Sequence, residues 1–170
     1  MPGKDIINNA TLQIGTYSIR HVNTGQCVAL KDTNRRSTLI ALQDSHFEHL
    51  AVSFRYCTIF SYYTYNVRSF LQNTFVRMGQ SPKAGAELVS GTESCPWIIR
   101  PAGFGNIYFI SPYFDPSLYW TIAKTRDGTC VSIYFQCPVH TSLLYHSRQQ
   151  ARLTDNPKHH VYWQFSKMSA

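Results

Sequence analysis

Nowhere do 18 uncharged apolar residues run together, and the opening segment MPGKDIINNATLQIG has neither a continuous apolar stretch nor a small-residue cleavage site. A helical membrane span and export by the usual signal are therefore not indicated, and a cytoplasmic location is expected. On that expectation the sequon Asn9-Ala10-Thr11 is a chance match. Acidic residues are scarce, 9 against 16 Lys and Arg, yet the net charge of +7 is spread along the chain and its densest pair is Arg35-Arg36. Without a basic run to track phosphates, no nucleic-acid partner is expected. The five cysteines, Cys27, Cys57, Cys95, Cys130 and Cys137, show no CxxC spacing, which excludes the common structural zinc sites and leaves them as small hydrophobes. No phosphate-binding glycine loop, HExxH helix or nucleophile elbow is present. Cys137 with His140, and His46 with His49, stand at a spacing that joins side chains on a helix, but here they fall in strand exits and loops, and His159-His160 reads as a loop pair. Neither an enzyme nor a cofactor or metal site is expected.

Ala-Leu-Glu-Lys runs of helical period are missing as well, whereas 11 Tyr, 10 Phe and 3 Trp are present. Aromatic and β-branched filling favours short strands, so the fold class is all-β. A chain of 170 residues suits a single domain spanning residues 1 to 170.

Repetition decides the architecture. GTYSIRHVNTGQCVAL around Tyr17 is echoed by YTYNVRSFLQNTFVRM around Tyr65 and NIYFISPYFDPSLYWTI around Tyr108, each with Tyr-x-(Ile/Val), a loop and an alternating strand; the tyrosines are 48 and 43 residues apart. A third strand follows in STLIAL, GAELVS and GTCVSI, where Ile40, Leu88 and Val131 each come 23 residues after their tyrosine. VSFRY at Phe54, CPWII at Trp97 and VYWQF at Trp163 read as a fourth. Twelve strands in three four-stranded repeats are predicted, at about 14–57, 62–100 and 105–166. Alternation turns Tyr17, Ile19, Val28, Leu30, Tyr65, Val67, Val76, Met78, Tyr108, Ile110, Trp120 and Ile122 inward. No single repeat can bury its apolar face alone, so the three must close together as a barrel with a hairpin cap.

The closing aromatic comes 37, 32 and 55 residues after the tyrosine, so the last repeat carries an insertion at about 137–160. Its stretch TSLLYHSRQQARL tolerates a turn or two of helix before Asn156-Pro157 ends it. A functional loop and a neutral expansion are both open.

In order and spacing, GTYSIRHVNTG, NTFVRMGQSPKAGAELVSG and VYWQF, the last similar to a degraded Gln-x-Trp strand, resemble the mushroom ricin-B-like lectins across about residues 14–165. The resemblance implies a β-trefoil, a fold shared with fungal protease inhibitors. It also implies galactose or N-acetylgalactosamine recognition through an Asp ending the second strand, a polar or aromatic residue on the third-strand hairpin and an amide near the closing Trp. A carboxylate takes two adjacent sugar hydroxyls while an aromatic face covers the ring. The expected Asp is replaced by Ala29, Arg77 and Thr121.

Substitutes stand close by in the first repeat. Asp32 and the QDSHFEH exit, with Gln43, Asp44, His46 and Phe47, supply acceptors, an imidazole and a ring, and form the candidate carbohydrate site. Asp32 and Asp44 equally suit turns that cap their own backbone. Asp127, Tyr134, Gln136 and His140 form a weaker set in the third repeat, and SGTESC in the second is too poor in aromatics. Glycans of glycoproteins or glycolipids are the expected partners, and a homodimer would supply the valency that a shallow single site lacks. The alternative is a protease as partner. The loop KDTNRRST presents Asn34, Arg35 and Arg36 among turn formers, and an exposed Arg on a rigid loop fits a trypsin-like specificity pocket. Two solvated arginines keeping an edge soluble read the same residues without a partner.

Overall fold

The computed structural model describes residues 12–43, 50–57, 62–79, 83–103, 105–124, 126–135 and 161–168, with backbone alone for 50–57, 62–63 and 135. The 137–160 insertion, with Cys137 and His159-His160, lies outside them. Twelve strands are described: β1 Gly15–His21, β2 Cys27–Leu30, β3 Leu39–Leu42, β4 Leu50–Cys57, β5 Tyr62–Ser69, β6 Phe75–Met78, β7 Leu88–Gly91, β8 Pro96–Pro101, β9 Ile107–Pro112, β10 Leu118–Ile122, β11 Thr129–Phe135 and β12 Trp163–Lys167. No helix occurs among the described residues, and none is long and apolar enough to cross a membrane.

All strand pairs are antiparallel, and six of the strands close on themselves. β1 pairs with β4, β4 with β5, β5 with β8, β8 with β9, β9 with β12, and β12 returns to β1. Closure leaves no exposed edge within that ring. The remaining strands form the hairpin pairs β2–β3, β6–β7 and β10–β11. Three contacts tie β3, β7 and β11 into a triangle: Thr38↔Val89, Glu87↔Ser132 and Cys130↔Ile40.

Of the residues expected to face inward, all are buried except Met78, which is half-buried and packs against the core. The triangle corrects one register. Thr38, Glu87 and Cys130 hold equivalent places in it, so Leu39 rather than Ile40 corresponds to Leu88 and Val131, and all three are fully buried. Ile40 is buried too, on the opposite side of its strand, which hides the alternation that would have fixed the register.

Three tryptophans fill the centre. Trp97 and Trp120 meet edge to face at 5.1 Å, Trp120 and Trp163 at 6.1 Å, and none of the three has solvent exposure. Burying an indole of about 200 Å² stabilises by at most about 5 kcal/mol at roughly 25 cal/mol per Å². Trp97 Nε1 donates to Val76 O (3.0 Å) and Trp163 Nε1 to Trp120 O (3.1 Å), while Trp120 Nε1 has no acceptor among the described residues.

Repetition reaches the turns. Gly25 N donates to His21 O (2.9 Å) and His21 N to Gln26 O (2.8 Å); 48 residues on, Asn73 N donates to Ser69 O (3.0 Å) and Ser69 N to Thr74 O (2.8 Å). Both turns need a left-handed residue, met by Gly25 at φ 72° and by Asn73 at φ 54°. Glycine takes that conformation without strain, and asparagine is among the side chains that tolerate it.

Candidate functional site

Loop 31–38 joins β2 to β3 and is held at every level. Lys31 N donates to Thr38 O (2.9 Å), Asp32 N to Ser37 Oγ (2.9 Å), Asn34 N to Asp32 Oδ1 (2.9 Å) and Ser37 N to Asn34 O (3.1 Å). The bond from Asn34 N is the chief reason the Asp32 carboxyl lies below its ordinary pKa, although the side chain is exposed. Asp32 is thus engaged with its own turn, as short acidic side chains in loops commonly are.

A second element grips the loop from below. Ser90 of β7 is almost fully buried; its Oγ accepts from Ser37 N (2.9 Å) and lies 3.2 Å from Arg35 O and 3.4 Å from Asn34 O, to which it donates, while Ser90 N donates to Ser37 O (2.8 Å). Gln72 Nε2 reaches Asp32 O (2.9 Å) from the β5–β6 turn, whose Phe70 and Leu71 are exposed. The backbone is fixed, and Arg35 and Arg36 stand in solvent above it.

A groove of about 320 Å³ beside this loop is lined by Arg35, Arg36, Arg77, Thr92 and Glu93. Arg77 Nη1 donates to Glu93 Oε2 at 3.0 Å. Its stem lies flat because Gly91 is beneath it: a Cβ there would come 2.5 Å from Arg77 Cδ.

The other predicted set is partly assembled elsewhere. Asp127 Oδ1 accepts from Gln26 Nε2 (3.0 Å) and from Gln43 N (2.9 Å), joining residues 101 and 84 positions apart. Gln26 is fully buried, whereas Gln43 and Asp127 are exposed. A carboxylate offers about four lone-pair sites, so Asp127 keeps acceptor capacity toward solvent. Arg20 Nη1 donates to Gly25 O (2.6 Å) on the same rim, where a Cβ on Gly25 would lie 3.9 Å from Gln43 Nε2. Gln43 of the first repeat and Asp127 of the third are therefore brought together, and Asp32 is not among them. Tyr134 is exposed on β11 with its hydroxyl beside Gly85. Asp44, His46, Phe47 and His49, and Gln136, Cys137 and His140, lie outside the described residues. Where the resemblance led to an expected Asp, Ala29 and Thr121 are buried and Arg77 is half-buried, paired with Glu93.

Sequence reasoning missed Gln26 and Ser90. Ser90 carried a faint signal, a hydroxyl two residues from Leu88 on the side that alternation turns inward; Gln26 carried none.

Among the described residues no three His, Cys, Asp or Glu side chains gather as metal ligands. Burial pushes the Cys95 thiol pKa up, and burial followed by the neighbouring Glu87 does the same at Cys130, which keeps both thiols protonated and poorly nucleophilic.

No family model matches the sequence, and no curated protein matches it. Solved structures do. The Macrolepiota procera ricin B-like lectin, in complex with lactose, superposes with a TM-score of 0.68 at 16% identity, covering 93% of this chain and 99% of the lectin. The Rhizoctonia solani agglutinin gives 0.67 at 16% identity, with 93% and 98% covered. A proteinase inhibitor from Coprinopsis cinerea gives 0.63 at 13% identity, with 93% and 100% covered. These neighbours are β-trefoil proteins, and the likeness shows that the chain shares their fold.

Proposed function

We propose that this chain is a non-enzymatic carbohydrate-binding protein, a lectin of galactose-type glycans whose site lies at the exit of the first repeat. The reading includes the three four-stranded repeats, supported by the closed ring, the β3–β7–β11 triangle and the duplicated turns. One observation carries the site: the exposed carboxylate of Asp127 is fixed by Gln26 and Gln43 beside an exposed amide and the Arg20 guanidinium. A preorganised acceptor next to donors is what vicinal sugar hydroxyls require. Asp44, His46 and Phe47 follow directly in sequence and complete the proposed set. Sharing a fold with lectins adds to this without fixing the ligand.

Asp127→Asn is the test, read by lactose titration in calorimetry. An Asn oxygen still accepts from Gln26 and Gln43, so the fold is kept while the charged acceptor is lost; lactose affinity falls about tenfold, the cost of one charge-assisted hydrogen bond. Undetectable lactose binding by the unmodified protein, together with a blank glycan array, sinks the reading. A homodimer is proposed with it, since one shallow site gains avidity only by duplication; monomeric light scattering at working concentration counts against it.

The Ser90 clamp favours a second reading, inhibition of a trypsin-like protease by Arg35 or Arg36. A substrate loop becomes inhibitory when its backbone is held, because little ordering entropy remains to be lost on binding. Absence of trypsin inhibition, or inhibition unchanged in Arg35→Ala and Arg36→Ala, removes it.

A further inference from the structure

Four cations border one trough. Arg35, Arg36 and Arg77 line the groove beside loop 31–38, and past Arg36, Gly79 and Val89 it continues into a hollow of about 530 Å³ edged by Lys83. Two acids, Glu87 and Glu93, also line it, leaving an excess of two positive charges. One of the acids, Glu93, is engaged by Arg77. Arg35, Arg36 and Lys83 are exposed and have no side-chain hydrogen bond among the described residues. Each hollow is within or near the range of about 300–1,000 Å³ typical of small-ligand sites.

Further features make this more than a surface charge patch. The backbone beneath Arg35 and Arg36 is clamped, so two guanidinium groups are presented from a fixed base. The floor is built close: a Cβ on Gly79 would sit 3.2 Å from Val89 Cγ1, and Gly91 makes room for the Arg77 stem. Among the described residues that line the two hollows none is aromatic, so no stacking platform of the kind single-stranded nucleic acid uses is described there. Thr92 and Glu93 Oε1, which has no hydrogen bond among the described residues, offer polar partners for ring hydroxyls.

We propose that this trough binds an acidic sugar chain, with sulfate groups held by Arg35, Arg36 and Arg77 and a further anionic group near Lys83. Planar guanidinium forks match tetrahedral oxyanions in paired, charge-assisted hydrogen bonds, and a row of cations suits a polymer with charge on successive residues. The trough is separate from the Gln43–Asp127 rim and stands whether or not that rim binds neutral sugar.

The probe is a labelled heparin tetrasaccharide followed by fluorescence anisotropy at low salt, beside its fully desulfated counterpart and a single-stranded DNA of equal charge. The sulfated probe binds at least tenfold more tightly than either comparison. Arg35→Gln with Arg36→Gln weakens it about tenfold or more, since two charge-assisted bonds are lost. Lys124→Gln, the removal of one charge at an exposed lysine outside the trough, alters affinity less than twofold. Equal binding of the desulfated sugar or of the DNA overturns the proposal, as does an equal loss in Lys124→Gln. Displacement of the probe by lactose overturns the separateness of the two sites, whereas failure of lactose to bind at all bears only on the rim.

Discussion

Replacing Ser90 with alanine tests whether the arginine loop is held by one buried hydroxyl. The substitution removes the acceptor of Ser37 N and the donor to Arg35 O and Asn34 O, but leaves Ser90 N on Ser37 O and leaves Ser37 N its bond to Asn34 O. The uncompensated loss is at one loop carbonyl, Arg35 O, since Asn34 O keeps the bond from Ser37 N, and leaving such a group unpaired costs about 1–3 kcal/mol. Tenfold per 1.4 kcal/mol makes that a rise of roughly 5- to 150-fold in the open population of the loop. On the carbohydrate-binding reading, where the held loop is no inhibitor, trypsin cuts after Arg35 or Arg36 only when the loop opens enough to enter its active site, and where reclosing outruns cleavage the rate follows the open population. Limited digestion with mass spectrometry should show these two bonds cut in Ser90→Ala at that multiple of the unmodified rate. Cleavage within twofold of the unmodified protein would refute the clamp, because the loop would then owe its order to its own turn.

Three further outcomes follow from the same contacts. Trp97→Phe and Trp120→Phe leave similar cavities, but only the first strands an acceptor, Val76 O; Trp97→Phe should cost about 1–2 kcal/mol more in urea unfolding, and equal costs would contradict the unpaired Trp120 indole. Asp32 has a carboxyl pKa lowered in the folded chain, so its contribution to stability is present above the unfolded value of about 3.9 and fades as pH falls through the folded one; the unmodified protein should outlast Asp32→Asn at neutral pH and match it in strong acid, and a gap constant with pH would argue otherwise. Tyr17 and Tyr108 have pKa values raised by burial, with Tyr108 adding to the shift at Tyr17, so stability is full below the unfolded value of about 10 and falls as pH rises above it; absorbance titration should find both ionising at higher pH than an exposed tyrosine, and simultaneous ionisation would count against it.

Much of the fold was legible because it repeats. Tyr17, Tyr65 and Tyr108 announced the strands, and the residues alternating with them are buried. Legibility failed where burial is two-sided: β2 is buried throughout, Leu39 and Ile40 are both buried, and with no polar residue between them the eye takes the wrong one as the core position. The site was legible only in part, for a different reason. Asp32 suited both a sugar acceptor and a turn cap, and only the turn's geometry, which gives it the bond from Asn34 N, separates the two. Ser90 and Gln26 act across 53 and 101 residues, on partners that no local pattern names. Arg35 and Arg36 were visible as exposed cations, but the third guanidinium, Arg77, was read only as a missing Asp.

The pairing of β1 with β12 has a cost in time. Tyr17 meets Lys167, 150 residues later, so β1 is held on one side by β4 early in synthesis and waits for its other neighbour until the last strand is made. At roughly 5–20 residues per second that wait is about 8 to 30 s, during which the strand edge that carries Tyr17 and Ile19 stands open. The ring that abolishes edges in the finished molecule is thus the reason a nascent chain carries one for so long, and slow translation or a crowded ribosome would be felt there first.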